Sequence, residues 1–149
     1  MAKKIQSITT SCSAKEVWSV LSKFDEISSW ADNVDHSCYL TEQESGIGAV
    51  RRIQHGSNII IETVTKWDDV SCLAYRLDGF PPVFRRITNS WQIHEEKSET
   101  FIELAVEIIP IRPPVEVVAK IVSHLIARVN KKMLSNFKNH LEQTAMKDR

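Results

Sequence analysis

The sequence predicts an α+β fold, with one curved antiparallel sheet of about seven strands around a long C-terminal helix and two short helices after the first strand. Three observations predict it. Period-two alternation, broken by turn residues, runs through the middle of the chain. A capping box follows the first alternating segment. A single amphipathic pattern closes the chain, from Val115 to about Thr144. A lone long helix with a broad apolar face needs a sheet large enough to lie in. If the sheet curls around it, the space between them need not be filled by side chains, which is the geometry of a ligand cavity.

Each element follows from local chemistry. Lys4 to Cys12 alternates and reads as a strand. Ser13 is a good N-cap, and Glu16 three residues on completes a capping box for a helix over Ala14–Leu21. A second short helix is expected over Phe24–Trp30. Strands follow near Asp35–Glu42, Ala49–His55, Asn58–Trp67, Cys72–Leu77, Arg85–His94 and Thr100–Ile109. The breaks between them are turn sequences: Ser45-Gly46, Gly56-Ser57, Asp68-Asp69, Gly79 through Pro81-Pro82, and Glu95–Ser98. Pro113-Pro114 ends the strand run and suits the first turn of a helix. In that helix Val115, Val118, Val122, Leu125, Val129, Met133, Phe137 and Leu141 recur at three- and four-residue steps.

Composition narrows the function classes. The 149 residues make one domain, 1–149, with a core that needs no staples. Lys+Arg and Asp+Glu balance at 19 each, which argues against nucleic acid or an anionic membrane as partner. Cys12, Cys38 and Cys72 show neither a disulfide framework nor zinc spacing. The five histidines form no metal-ligand spacing, so no metal or other cofactor is implied. No apolar run reaches signal-peptide or membrane-spanning length. The expectation is a soluble, cytoplasmic protein without membrane insertion, for which a homodimer stays open.

The Gly56-Ser57 turn carries the sharpest local argument. Gly at the first central position suits a two-residue type II′ hairpin. With His55 and Asn58 flanking the turn, Ile53 faces Ile60, Ala49 faces Val64 and Arg51 faces Glu62. Directly opposed side chains share a face, with Cβ atoms roughly 4.5–5.5 Å apart. The other face carries Val50, Arg52, Gln54, Ile59, Ile61 and Thr63, so polarity alone leaves the inner side open. On the outside, Arg51–Glu62 is an ordinary ion pair worth at most about 1 kcal/mol. On an inner apolar face such a pair is expensive, which points to ligand or proton chemistry. His55, at the hairpin end, is the histidine placed to touch a cavity mouth. Alternation sends Glu103 and Glu107 outward.

Several segments resemble the START-like (SRPBCC) helix-grip superfamily. Ser13-Ala14-Lys15-Glu16-Val17-Trp18, followed by Leu21, Phe24, Ile27 and Trp30, resembles its opening. Gly46-Ile47-Gly48-Ala49-Val50-Arg51 is similar to its "GxGxxR" strand entry. Ile61-Glu62-Thr63-Val64, with Trp67-Asp68-Asp69 and Tyr75-Arg76-Leu77 after it, resembles the run that follows. By pattern the nearest groups are the bacterial polyketide cyclase/dehydrase-like proteins, the plant abscisic acid receptors and the lachrymatory factor synthases. In the last two, the residues matching Arg51 and Glu62 point into a cavity, and in the synthases they are thought to move protons. The family pattern also turns Glu103 toward the cavity, against the alternation. The chain departs from the receptors at the gating loop, here only His55-Gly56-Ser57-Asn58. It also lacks their carboxylate-holding lysine between about His36 and Glu42. The resemblance places a second mouth loop, a candidate lid, between Asp78 and Arg86.

The expected function is to bind or carry a small hydrophobic or amphipathic molecule between sheet and helix. Val118, Val122, Leu125 and Val129 would wall the cavity from the helix, and Ile53, Ile60, Val64, Tyr75 and Leu77 from the sheet. Arg51 and Glu62 would form its polar floor. One alternative is a cyclase, dehydratase or isomerase, with Glu62 as catalytic acid or base and Arg51 stabilising developing negative charge. The other is a protein-interaction module on the same fold.

Overall fold

The alternating segments form seven strands in the computed structural model, which describes residues 2–80, 84–111 and 116–147. They are β1 (Ala2–Thr10), β2 (His36–Tyr39), β3 (Val50–His55), β4 (Asn58–Asp68), β5 (Cys72–Asp78), β6 (Phe84–Glu96) and β7 (Glu99–Pro110). They pair antiparallel in one curved sheet, in the order β1-β7-β6-β5-β4-β3-β2. The first two strands of the chain thus lie at opposite edges. The segment joining them crosses one face of the sheet as α1 (Ala14–Leu21) and a 3-10 helix (Phe24–Ser29).

The start of α1 has the expected reciprocal cap. The Glu16 N–H donates to Ser13 Oγ at 3.2 Å, and the Ser13 N–H donates to Glu16 Oε1 at 3.3 Å. The second helix differs from expectation, since it is 3-10 and ends at Ser29. Its serines bond locally, Ser29 Oγ donating to Glu26 O, and Ser37 Oγ of β2 donates to Asp25 O. Strand β2 is shorter than predicted because the chain turns away after Tyr39. The following loop is held by the Gln43 amide, which donates to Ser45 O at 2.7 Å and Ile47 O at 2.8 Å. Gly46 and Gly48 adopt positive φ in that loop.

The β3–β4 register matches the expectation from Gly56, with Arg51 opposite Glu62, Ile53 opposite Ile60 and His55 opposite Asn58. Gly56 has φ +59° while Ser57 is not in the positive-φ region, as a type II′ turn requires. Further along β4, Thr65 drops out of the ladder between Val64 and Lys66. This bulge restores Trp67 to the inner face, where its ring meets Trp18 edge-on at 5.3 Å.

The long helix is α2 (Glu116–Lys147). The expected opening at Pro113-Pro114 and Val115, and the Pro81-Pro82 part of the mouth loop, lie outside the described residues. The two halves of α2 pack differently. Met133, Leu134, Phe137 and Leu141 are buried, and Phe137 lies 4.8 Å from the Trp30 ring and 5.2 Å from that of Trp91. In the first half the buried positions are the small or polar Ala119, Ser123, Ala127 and Asn130. These allow the helix to approach β1 and β7 closely. The large side chains Val122, Leu125, Ile126 and Val129 are turned toward the opposite, β3–β4 side of the sheet. Space is left there. No helix among the described residues is long and apolar enough to cross a membrane.

Candidate functional site

The space left between α2 and strands β3 to β6 is a cavity of about 490 Å³. Its walls are mainly apolar: Ile53, Ile60 and Leu77 from the sheet, Val122, Leu125, Ile126, Val129 and Met133 from α2. Val34 and Phe80 add to the apolar lining. Its mouth lies where His55, Asn58, Leu125 and Val129 are exposed. The mouth is braced, since the Gly56 N–H donates to Asp35 Oδ2 at 2.6 Å and His55 Nδ1 lies 3.8 Å from the same oxygen.

Alternation along β3 and β4 sends Arg51 and Glu62 inward, each 3 % exposed. The Arg51 Nε–H donates to Glu62 Oε1 at 2.7 Å, and Nη2 lies 2.7 Å from the same oxygen. Nη1 donates to the Phe24 carbonyl, also at 2.7 Å. The guanidinium lies over two rings that meet each other edge-on, its Cζ 3.7 Å from the centroid of Phe24 and 4.8 Å from that of Tyr75. Stacking of this kind is worth about 0.5–2 kcal/mol per ring and offsets part of the cost of burying the charge. Glu62 lines the cavity and Arg51 does not. Burial pushes the Glu62 carboxyl above its ordinary value, and Arg51 opposes that shift.

Behind the floor lies a second polar chain. The Trp91 Nε1–H donates to the Tyr75 hydroxyl at 3.1 Å, and Asn89 also bonds that hydroxyl. Asn130 Nδ2 donates to Asn89 Oδ1 at 3.1 Å. Burial and the nearby Glu62 push the Tyr75 phenol up to about 12, so it stays protonated.

Ile53, His55, Ile60, Glu62, Leu77, Val122, Leu125 and Val129, anticipated as ligand contacts, all line the cavity. Four anticipated residues do not. Val64 and Tyr75 are fully buried in the core beneath it, and Arg51 sits behind Glu62. Val118 is 45 % exposed and outside the lining, because close packing of Ala119 on the sheet turns it away. Glu103 faces outward, as alternation and not the family pattern has it, and Glu107 lies on the same outer face. The polar wall residues Asn33, Gln54, Asn58, Asn89 and Asn130 were missed. Asn89 was legible, since it shares a strand face with Ile87, Trp91 and Ile93. Asn130 sits among apolar helix positions and carried a similar signal.

Comparison with known proteins agrees with this architecture. Residues 1–142 match the model of a family described as polyketide cyclase / dehydrase and lipid transport. No curated protein sequence matches the chain. Among solved structures, XoxI from Bacillus cereus superposes with a TM-score of 0.76 at 19% identity, covering 97% of this chain and 99% of that one. The Zhui aromatase/cyclase of a Streptomyces species gives 0.76 at 16% identity, covering 97% and 95%. A START superfamily protein from Mycobacterium smegmatis gives 0.73 at 13% identity, covering 95% and 98%. At these identities the likeness establishes the fold.

Proposed function

The chain belongs to the polyketide cyclase/dehydrase and lipid transport family, and from that premise we propose that it binds and carries a small, mainly apolar organic molecule between the sheet and α2. The observation that carries this reading is the cavity itself. At about 490 Å³, with apolar walls and a few placed polar groups, it has the size and character of small-molecule sites. A tightly packed core would contain no such void. The test is mass spectrometry of small molecules extracted from protein purified under native conditions, together with titration by an apolar, environment-sensitive dye. A one-to-one dye complex that is lost in Val122→Trp, with the fold retained, supports the reading. Absence of dye binding and of any extracted compound overturns it.

A second reading is favoured by one specific observation. Both contacts from Arg51 fall on Oε1 of Glu62, so among the described residues no hydrogen bond reaches Oε2, while the carboxyl is raised by burial. A carboxyl in that state is suited to exchange a proton with a bound molecule, in cyclase, dehydratase or isomerase chemistry.

A further inference from the structure

Among the described residues, the buried polar atoms of the cavity wall that lack a hydrogen-bond partner are both acceptors. Asn130 is 1 % exposed, and its Nδ2 is committed to Asn89, yet its Oδ1 has no partner among the described residues. Asn33 Oδ1, on the cavity wall, is likewise buried and without a partner among the described residues. Glu62 Oε2 is a further acceptor to which none of the described residues donates a hydrogen bond. A buried carbonyl without a donor costs about 1–3 kcal/mol, so such groups in a native fold call for an explanation.

Positive charge is missing from the same surface. Among the described residues, no lysine or arginine lines the cavity. Arg51 is a buried cation outside the lining, and each of its three nitrogens is already turned to Glu62 or the Phe24 carbonyl. His55 is at the mouth beside Asp35, away from the floor.

We propose that the ligand is an uncharged, largely apolar molecule bearing at least two hydroxyl groups, one donating to Glu62 Oε2 and another to Asn130 Oδ1. This rests on the cavity being a ligand site, and it narrows the ligand class. A carboxylate or phosphate would meet acceptors without a cation and would lose its hydration for nothing. A plain hydrocarbon or ether would bury the same acceptors unpaired. Sites built to bond a hydroxyl discriminate strongly against analogues that lack it, for the same reason.

The experiment uses three probes on one skeleton: a dihydroxystilbene, its dimethoxy ether and the matching stilbene dicarboxylate. Each is titrated against the apolar dye bound to the full chain at neutral pH. The diol is expected to bind at least about tenfold tighter than the ether, the equivalent of about 1.4 kcal/mol, with no displacement by the dicarboxylate. In Asn130→Leu, which keeps size and removes the acceptor, the preference for diol over ether shrinks toward unity. If that variant fails to fold, the comparison in the parent protein still decides. Equal binding of diol and ether, or tightest binding of the dicarboxylate, overturns the inference and leaves the cavity reading intact. Failure of the dye itself to bind overturns both.

Discussion

Arg51 and Glu62 face each other across the β3–β4 ladder, and two nitrogens of the arginine converge on a single glutamate oxygen. The pair is buried, so removing one partner differs sharply from removing both. Arg51→Met strands a carboxylate in an apolar setting and is expected to cost about 3–5 kcal/mol in denaturant unfolding. Arg51→Met combined with Glu62→Leu should recover most of that loss. A double variant no more stable than the single one would show that the pair contributes through something besides charge compensation.

The same burial sets a pH dependence. The Glu62 carboxyl lies above its unfolded value of 4.5 in the folded protein, chiefly through desolvation. A group raised in this way contributes stability that is fully present below the unfolded value and lost as pH rises through the folded one. Glu62→Gln removes the titration. The stability of the parent relative to Glu62→Gln should therefore decline as pH rises from 4.5 through the raised folded value. Denaturant midpoints across that range test it, and a rising difference would contradict the raised carboxyl.

Tyrosine ionisation gives an independent check on the floor. Both tyrosines are raised above 10.0, Tyr39 mainly by burial and the nearby Asp25, and Tyr75 to about 12. Ultraviolet titration should find less than half the tyrosinate signal at the ordinary midpoint. Tyr75→Phe should remove the later step. Folding stability should fall as pH rises from 10.0 toward about 12, the window in which the unfolded phenol ionises and the folded one does not.

Two hairpin glycines should respond differently to alanine. Gly79 has φ +119°, and a Cβ there would sit 2.8 Å from the Ile59 carbonyl oxygen. Gly79→Ala is expected to destabilise by about 2 kcal/mol or more, since backbone must move. Gly56 has φ +59° and nothing within 4 Å of the added carbon, so its alanine variant should cost only about 1 kcal/mol. Thermal unfolding of the two variants checks the order.

Glu62→Gln also separates carriage from catalysis. If Glu62 only receives a hydroxyl, the glutamine variant should change affinity by a modest factor. If it moves a proton, turnover of any transformed compound should fall by about 10²–10⁴ with binding largely kept. Arg51→Lys serves as the companion variant, because it keeps the charge and loses the planar fork.

Most of the scaffold was legible because its signals are local. Ser13 and Glu16 fix the start of α1, and Gly56 fixes the register that sets Arg51 opposite Glu62. What the hairpin could not reveal was which face is inside, because both faces carry apolar and charged residues. That choice is made by distant partners, the Phe24 carbonyl and the Tyr75 ring, which meet Arg51 only in the folded chain. Val118 shows the same limit on the helix. Its place in the apolar stripe is plain, but which flank of a wide stripe turns inward depends on how closely Ala119 and Ser123 pack on the sheet. Asn130 stands out as a lone amide in an apolar run, but the sequence does not announce that its acceptor is left unmet.

The small face of α2 has a consequence for how such a protein could change its cargo. Ala119, Ser123 and Ala127 are buried, lie outside the cavity lining and set how near the helix comes to the sheet. They work like shims beneath a beam. A bulkier residue at Ala127 would lift the helix from β1 and β7 and alter the width of the chamber on its far side. Cargo size is thereby adjustable from behind the wall, by substitutions that a ligand never touches, while the polar floor at Glu62 stays as it is.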